Sequence, residues 1–169
     1  ASAVGAGDVP PPKLLGDTLL SQAGEISTTE ALKDVDAVGL YFSAHWCPPC
    51  RSFTPVLSKK YTQLKEAGKK VEIVFLSSDR DQAAFDAYHA EMTFLAVPFA
   101  DRDLKSSLSK KYGVRGIPTL VFVDGKTGKL ITDDGRAGIS ADSFIEDFPY
   151  VPKPVNDLAN STSGINSRT

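Results

Sequence analysis

The sequence predicts an α/β fold in which a mixed central β-sheet is covered by helices on both faces. Two nearly continuous apolar runs of strand length, residues 38–43 and 71–76, are each followed by a helix-like segment. Such runs are typical of strands buried on both sides, and the strand-helix-strand order implies parallel pairing through a right-handed crossover. A third run, residues 116–123, passes through a Gly-containing turn at 124–128 into residues 129–132. This late hairpin adds antiparallel strands, which makes the predicted sheet mixed.

The segment before the first buried strand has weaker patterns. Residues 1–12 end in three consecutive prolines, which predicts a flexible, extended lead-in. Residues 14–20 and 25–27 flank a turn-like Gln-Ala-Gly and predict a short hairpin. Ser27 and Glu30 have the spacing of a capping box, so a short helix should begin there.

Apolar spacing and stop signals predict the later helices. The longest covers residues 48–67, ends before Gly68 and contains Pro55, which should kink it by removing one backbone hydrogen bond. The remaining predictions are a helix capped by Ser78 or Asp79 and extending through Met92, an apolar link at 97–99, a helix at 104–112 and a closing helix at 141–147.

The overall composition limits the domain count and the ligand classes. The chain has 169 residues, 41% of them apolar, and a net charge of −2. These values suit one domain at 13–151 followed by a polar tail at 152–169 that we expect to be disordered. A slightly acidic chain lacks the excess of basic residues expected of a protein whose primary ligand is nucleic acid. No apolar run reaches the length of a membrane span.

Cysteine usage and the N-terminus indicate the compartment. Two cysteines are too few for a secreted disulfide scaffold, and the N-terminal residues lack the basic region and long apolar core of a secretory signal. We expect a monomer in the reducing cytoplasm, with the nucleus as a second location.

The two cysteines predict a redox dithiol. Cys47 and Cys50 are separated by Pro48 and Pro49, and they lie between a predicted buried strand and a helix. Residues at i and i+3 on a first helical turn share a face at about 5–6 Å between Cα atoms, which suits a disulfide. The helix N-terminus favours a thiolate at Cys47. Cys50, one turn further in, should be more buried and act as the resolving thiol.

Other interpretations of the cysteine pair fit less well. A zinc site usually needs four ligands, and His45 and His89 are the only histidines. A purely structural disulfide fits the position before a helix less well than a redox centre does. No Gly-x-Gly-x-x-Gly follows a strand, so we expect no bound cofactor and an external source of electrons.

These motifs resemble those of the thioredoxin superfamily. The matching residues are Trp46 to Arg51 after an apolar strand, Pro55 within the helix, and Gly116-Ile117-Pro118-Thr119 before a strand. The Cys-Pro-Pro-Cys-Arg form, the lead-in at 41–44 and the block at 94–99 are similar to the tryparedoxin/nucleoredoxin branch. The resemblance covers roughly residues 25–151 and implies a thioredoxin fold.

The resemblance implies roles for the residues around the dithiol. Cys47 would be the attacking nucleophile and Cys50 the resolving cysteine. Pro118 would be a cis-proline that faces the disulfide, and the backbone of Ile117 would bind a substrate strand. The alternative for Pro118 is an ordinary loop proline.

Trp46, Pro48 and Pro49 would form the remainder of the docking surface for substrates. The alternative for Trp46 is a core aromatic. Arg136 occupies a loop where tryparedoxins place a basic residue used for their glutathione-spermidine conjugate, and its alternative is a solvated side chain. For His89 we expect surface exposure or core packing.

One position departs from thioredoxins proper, which carry a buried Asp six residues before the first cysteine. Tyr41 occupies that position here, so the proton acceptor should be water or Asp79, with Tyr41 tuning the site. The alternative for Asp79 is a helix cap. His45 would tune the Cys47 thiolate as a nearby cation or be an exposed loop residue. Arg51 would act electrostatically or face solvent.

The expected function is reduction of protein disulfides through Cys47 and Cys50. The resemblance implies trypanothione, glutathione or a thioredoxin reductase as the external reductant, and disulfide-containing proteins such as peroxiredoxins as substrates. Two alternatives remain open. One is a disulfide isomerase or oxidase, and the other is a redox-sensing binding module of the nucleoredoxin type.

Overall fold

The structure is a computed structural model that describes residues 8–149. Residues 1–7 of the predicted lead-in, the last two residues of the predicted domain at 150–151 and the whole predicted tail at 152–169 lie outside the described residues. In chain order, the described elements are α1 (Pro11–Leu14), β1 (Thr18–Ser21), β2 (Gly24–Ser27), α2 (Thr28–Ala31), β3 (Ala37–Ser43), α3 (Pro48–Glu66), β4 (Val71–Ser77), α4 (Gln82–His89), β5 (Leu95–Ala96), α5 (Arg102–Lys111), β6 (Thr119–Asp124), β7 (Leu130–Thr132), α6 (Gly135–Gly138) and α7 (Phe144–Asp147).

The strands form one mixed sheet with the order β2-β1-β5-β4-β3-β6-β7. β3 pairs in parallel with β4 and antiparallel with β6, and β4 pairs in parallel with β5. All seven residues of β3 are buried, because this strand has a neighbour on each edge and side chains packed on each face. The predicted mixed sheet, with its parallel β3–β4 pair and late antiparallel hairpin, is confirmed.

Successive side chains of the central strands point to opposite faces and build two hydrophobic cores. On one face, Tyr41 and Phe75 pack with Leu57 of α3 and Phe85 of α4. On the other face, the core of Val38, Leu40, Phe42, Val74, Leu76, Val121 and Val123 includes Leu108 of α5. Helices therefore cover both faces of the sheet, as the sequence predicts.

The N-terminal hairpin is confirmed, but it is shorter than predicted, and the sequence pattern does not indicate its place in the sheet. β1 pairs with β2 and, at its other edge, with the two-residue strand β5 through Leu20 and Ala96. β5 lies just before the segment predicted as an apolar link, and two residues carry too little periodicity to indicate a strand. α1 corrects the extended lead-in, because the Pro10 carbonyl accepts from the N–H groups of Lys13 and Leu14.

Helix boundaries follow the predicted signals with a few differences. α3 closely matches its prediction, and Pro55 lies inside it; the kink at this proline stays a prediction. α4 is capped by Asp81, whose side chain accepts from the Ala84 N–H, so the prediction of a Ser78 or Asp79 cap is wrong. α4 ends at His89 rather than Met92.

The C-terminal part also differs from its prediction. α7 covers only part of the predicted closing helix at 141–147, and α6, which the sequence pattern does not predict, precedes it. No helix in the described part of the chain is long and apolar enough to span a bilayer.

A substitution at Gly125 tests the packing between the end of β6 and the segment before β3. The Gly125 N–H donates to the Asp36 carbonyl, and a Cβ added at Gly125 would lie 2.1 Å from the Val35 carbonyl oxygen. Because backbone must move to relieve this clash, we expect Gly125→Ala to lower the free energy of unfolding by about 2–3 kcal/mol. Gly116→Ala is the control, since a Cβ there meets nothing within 4 Å. Equal stability of the two variants in urea denaturation would contradict this packing.

Candidate active site

The two cysteines lie at the junction between the central strand and the longest helix. Cys47 is the N-cap residue of the 19-residue α3, and Cys50 lies in its first turn. Cys47 is 6% exposed and Cys50 is fully buried. The sulfurs are not bonded to each other. The predicted order of burial is therefore confirmed, and the outer sulfur lies at the N-terminal end of α3, the positive end of the helix dipole.

The environment of Cys50 keeps its sulfur protonated near neutral pH. Burial raises the pKa of the Cys50 thiol to about 11, and a hydrogen bond with Cys47 contributes to this increase. Hydrogen bonds from the Ser43 hydroxyl and the Ala44 backbone act in the opposite direction and favour the thiolate. Ser43 is thus the side chain that assists ionisation of the inner cysteine.

Ser43 ends a buried chain of hydroxyl groups beneath the dithiol. Its Oγ lies 2.7 Å from the Tyr88 hydroxyl, which lies 2.5 Å from the Thr54 Oγ1. The Tyr41 hydroxyl continues the chain at 2.7 Å from Thr54, which also donates to the Cys50 carbonyl at 3.0 Å. Burial raises the pKa of Tyr41 and of Tyr88. Both phenols are therefore neutral at physiological pH, and the tuning role of Tyr41 stays a prediction.

The wall facing the dithiol is formed by the loop before β6. The Ile117–Pro118 peptide bond is cis, as the resemblance implied. The Cys47 Sγ lies 3.9 Å from the Ile117 carbonyl oxygen. Pro118 is buried, while Ile117 is half-buried and packs against the cysteines. The predicted docking residues Ile117 and Pro118 are thus adjacent to the outer sulfur.

The other predicted docking residues lie at the surface beside Cys47. Trp46 is 48% exposed, which rules out the core alternative. Its Nε1–H donates to the Ser78 carbonyl at 3.0 Å, so the ring is held in place although it is exposed. Pro48 and Pro49 are exposed next to it. An apolar surface therefore surrounds the sulfur on the side open to a partner.

Asp79 holds the loop that carries His45. The Asp79 carboxylate is 5% exposed and accepts from the His45 N–H and the Ser77 Oγ, each at 2.7 Å. Its role as the proton acceptor stays a prediction. The His45 ring stacks on Tyr88 with 5.0 Å between centroids, and its Nε2 lies 3.6 Å from a Glu91 carboxylate oxygen. Its effect on Cys47 likewise stays a prediction.

The other predicted residues have different positions. The Arg51 side chain is exposed and donates to the His45 carbonyl at 2.6 Å. Arg136 is exposed on α6, where its guanidinium lies over the Phe53 ring and 3.4 Å from the Pro118 carbonyl. His89 packs in the core, with its Nε2 2.9 Å from the Phe94 carbonyl oxygen. Within residues 8–149, no group of three or more His, Cys, Asp and Glu side chains could hold a metal ion.

Comparisons with known proteins match this fold and site. A family model described as thioredoxin-like matches residues 34–130. Nucleoredoxin of Bos taurus is 44% identical over 151 residues, which cover 89% of this chain and 34% of that protein. Tryparedoxin of Trypanosoma brucei brucei is 40% identical over 132 residues, which cover 78% of this chain and 90% of that protein. The solved structure of tryparedoxin II complexed with glutathionylspermidine superimposes with a TM-score of 0.75 at 36% identity, covering 83% of this chain and 97% of that one.

The chain belongs to the thioredoxin-like family. Its relatives place it in the tryparedoxin/nucleoredoxin branch, and the Cys47–Cys50 pair lies in a thioredoxin-like oxidoreductase domain. The chain spans about a third of the length of the nucleoredoxins that it matches.

Three residues of this thioredoxin-like site are not indicated as functional by the sequence. The pattern places Ser43 at the end of a strand and Tyr88 in the apolar repeat of a helix, and it gives no signal at Thr54. Ser43 and Tyr88 are 45 positions apart in the chain, so no local pattern could connect them. The one sequence signal for these hydroxyls is Tyr41, which occupies the position of the buried Asp of thioredoxins proper. A buried phenol hydroxyl needs a hydrogen-bond partner in the core.

We expect the Cys50 thiol of this thioredoxin-like domain to titrate at a much higher pH than an ordinary cysteine thiol. The ¹³C chemical shift of the Cys50 Cβ, followed against pH in the reduced protein, should show a midpoint near pH 11, because the pKa is raised to about 11 by burial. A midpoint near 8.5, about the usual cysteine value, would show that the inner sulfur is hydrated.

The same titration tests the Ser43 contact. Ser43→Ala should move the Cys50 midpoint to still higher pH, because it removes a hydrogen bond that lowers this pKa. Ser58→Ala is a matched control, since the Ser58 Oγ on α3 is buried but has no hydrogen-bond partner among the described residues. An unchanged midpoint in Ser43→Ala would mean that its hydroxyl does not stabilise the Cys50 thiolate.

Proposed function

We propose that this thioredoxin-like chain reduces protein disulfides through a Cys47–Cys50 dithiol. The observation that carries the proposal is the arrangement of the two sulfurs. The outer one lies at the N-cap of α3 beside an exposed Trp46, and the inner one is fully buried one turn below it. A nucleophile must reach a partner, whereas a resolving thiol must reach only the nucleophile.

The first step is attack by the Cys47 thiolate on one sulfur of a substrate disulfide. A bond forms between the Cys47 Sγ and that sulfur, the substrate S–S bond breaks, and the other substrate sulfur leaves as a thiolate that takes up a proton. The apolar surface of Trp46, Pro48 and Pro49 displaces water from the reacting sulfurs. Ile117 and Pro118 limit the approach to one side of Cys47.

The second step releases the product. Cys50 loses its proton and attacks the Cys47 Sγ, which forms the Cys47–Cys50 disulfide and expels the second substrate thiolate. The substrate gains two electrons and the dithiol loses them. Because the pKa of Cys50 is raised, this ionisation needs assistance, which the Ser43 hydroxyl supplies by hydrogen bonding to the sulfur. Asp79 or water accepts the proton.

An external thiol must then reduce the Cys47–Cys50 disulfide. The similarity to a tryparedoxin that binds glutathionylspermidine favours a low-molecular-weight thiol of the glutathione or trypanothione type, with a thioredoxin reductase as the alternative. Disulfide-containing proteins, peroxiredoxins among them, are the proposed substrates. We propose a monomer in the cytoplasm, with the nucleus as a second location.

Two alternative functions would use the same dithiol: a disulfide oxidase or isomerase, and a redox-sensing binding module. Measurements of the reduction potential and of turnover distinguish them from a reductase. A reductase of this type should have a reduction potential of about −270 to −200 mV, whereas an oxidase would lie near about −120 mV, with isomerases between them at about −180 mV. A redox-sensing binding module, which the similarity to nucleoredoxins suggests, would retain its partners without turnover.

Insulin reduction tests the catalytic proposal. With dithiothreitol as the electron donor, the wild type should reduce insulin, and Cys47→Ser should lower the rate by on the order of a thousandfold, because the nucleophile is lost. Ser58→Ala is the control and should keep the wild-type rate, because it changes a buried residue of the same helix without altering either sulfur. Wild-type activity equal to that of Cys47→Ser would contradict the reductase proposal.

Cys50→Ser tests the order of the two thiols. This variant should accumulate a mixed disulfide with its substrate, because the attacking thiol remains and the resolving thiol is missing. Mass spectrometry of the trapped adduct should place the bond on Cys47. If Cys47→Ser formed an adduct on Cys50 as fast as Cys50→Ser forms one on Cys47, the assignment of Cys47 as the nucleophile would be contradicted.

A further inference from the structure

Trp46 stands between two cavities on the dithiol face, which together we call the Trp46 groove. One has a volume of about 270 Å³ and is lined by residues that include Lys105, Arg115 and Ile117. The other has a volume of about 430 Å³ and is lined by residues that include Arg51 and Arg80. Both share the Trp46 ring, so a bound chain segment that crosses this ring would contact both sides of the groove.

Four cations line the groove without a carboxylate partner. Within residues 8–149, no carboxylate oxygen lies within 4.0 Å of the charged nitrogens of Arg51, Arg80, Lys105 or Arg115. Arg80 lies over the Trp46 ring, 5.4 Å from its centroid. The three arginines are exposed, and Lys105 is half-buried. Their charges are therefore available to an anionic partner.

Lys105 is the half-buried member of this set. Burial and the positive charge of Arg102 lower the pKa of Lys105. Two cations placed near each other in a partly buried site repel, and a bound anion would relieve this repulsion. A bound carboxylate would therefore favour the charged form of Lys105.

Two carboxylates, those of Asp79 and Asp81, also line the groove, against four cations. Asp79 accepts hydrogen bonds from the His45 N–H and the Ser77 Oγ, and Asp81 caps α4. The chain as a whole has a net charge of −2, so the cations of the groove do not reflect an excess of basic residues. They lie in the two cavities that share Trp46, the residue that precedes Cys47.

We infer that the Trp46 groove binds an acidic segment of a substrate protein next to its reactive disulfide. The inference rests on the proposed function, because the partner must bring a disulfide to Cys47, and this requirement excludes nucleic acid. Complementary charge on a groove rim raises the association rate and selects among partners. The exposed faces of Trp46 and Ile117 accommodate the apolar part of the same segment.

Peptide binding tests the inference without any redox step. Three peptides would carry the same disulfide, flanked by Glu, by Gln or by Lys, and the protein would be the Cys47→Ser/Cys50→Ser variant, checked for folding by circular dichroism. Trp46 is the only tryptophan in the chain, so its fluorescence reports occupancy of the groove. We expect the Glu peptide to bind about tenfold more tightly than the Gln peptide at low ionic strength, with the Lys peptide weakest. The preference should decrease as salt is added.

Charge variants locate the effect in the groove. Lys105→Gln/Arg115→Gln in the same cysteine-free background should remove most of the preference for the Glu peptide. Lys110→Gln/Lys129→Gln is the matched control, because it removes two positive charges from exposed side chains outside the groove. Equal dissociation constants for the Glu and Gln peptides, or an unchanged preference in Lys105→Gln/Arg115→Gln, would overturn the inference.

Two further outcomes are informative. If oxidised glutathione displaces the Glu peptide at lower concentration than the peptide displaces itself, the groove is a glutathione site and the inference is wrong. If the wild type fails to reduce insulin while the Glu preference is present, the reductase proposal fails, whereas the preference of the groove for an acidic segment is confirmed. The two failures are therefore distinguishable.

Discussion

The burial of β3 is the constraint on which the active site depends. Every residue of this strand is buried, and its edges are held by β4 and β6. Its C-terminal end can therefore move little relative to the sheet. α3 follows after a short loop and is anchored to the same sheet through Leu57 and Leu64. Cys47 and Cys50 lie at this junction, so their positions are set by the packing of the core rather than by a loop.

The hydroxyl groups beneath the dithiol are polar and uncharged. Thioredoxins proper place a carboxylate there, and this chain has a series of hydroxyls from Ser43 to Tyr41. Such a series can share hydrogen bonds with a thiol or a thiolate without being ionised, so it avoids the desolvation penalty of a buried charge. Its cost is that neutral hydroxyls are weak bases, so they assist the ionisation of Cys50 only by hydrogen bonding.

The surface around the dithiol has a different character from the interior. It combines the exposed Trp46 ring with four cations that have no carboxylate partner within residues 8–149, an arrangement suited to contact with a partner chain. The chain corresponds to about a third of the nucleoredoxins and to most of a tryparedoxin. The fold that carries the dithiol is therefore shared with relatives of different length.

The sequence by itself determined the features that depend on neighbours in the chain. The apolar runs of β3 and β4, the helix that starts at Pro48, the dithiol spacing and the turn at Asp124 all follow from local patterns. The β1–β5 pairing and the bond from the His45 N–H to Asp79 did not, because each joins segments that are far apart in the chain. The cap at Asp81 is local, but Ser78, Asp79 and Asp81 are all residue types that cap helices, so the sequence alone did not select among them.

The same distinction holds for the active site. Cys47 and Cys50 could be assigned from their motif, whereas Ser43, Thr54 and Tyr88 come from β3, α3 and α4. Only the packed structure brings these hydroxyls together, because hydrogen bonds between distant segments leave no periodic signal in the sequence.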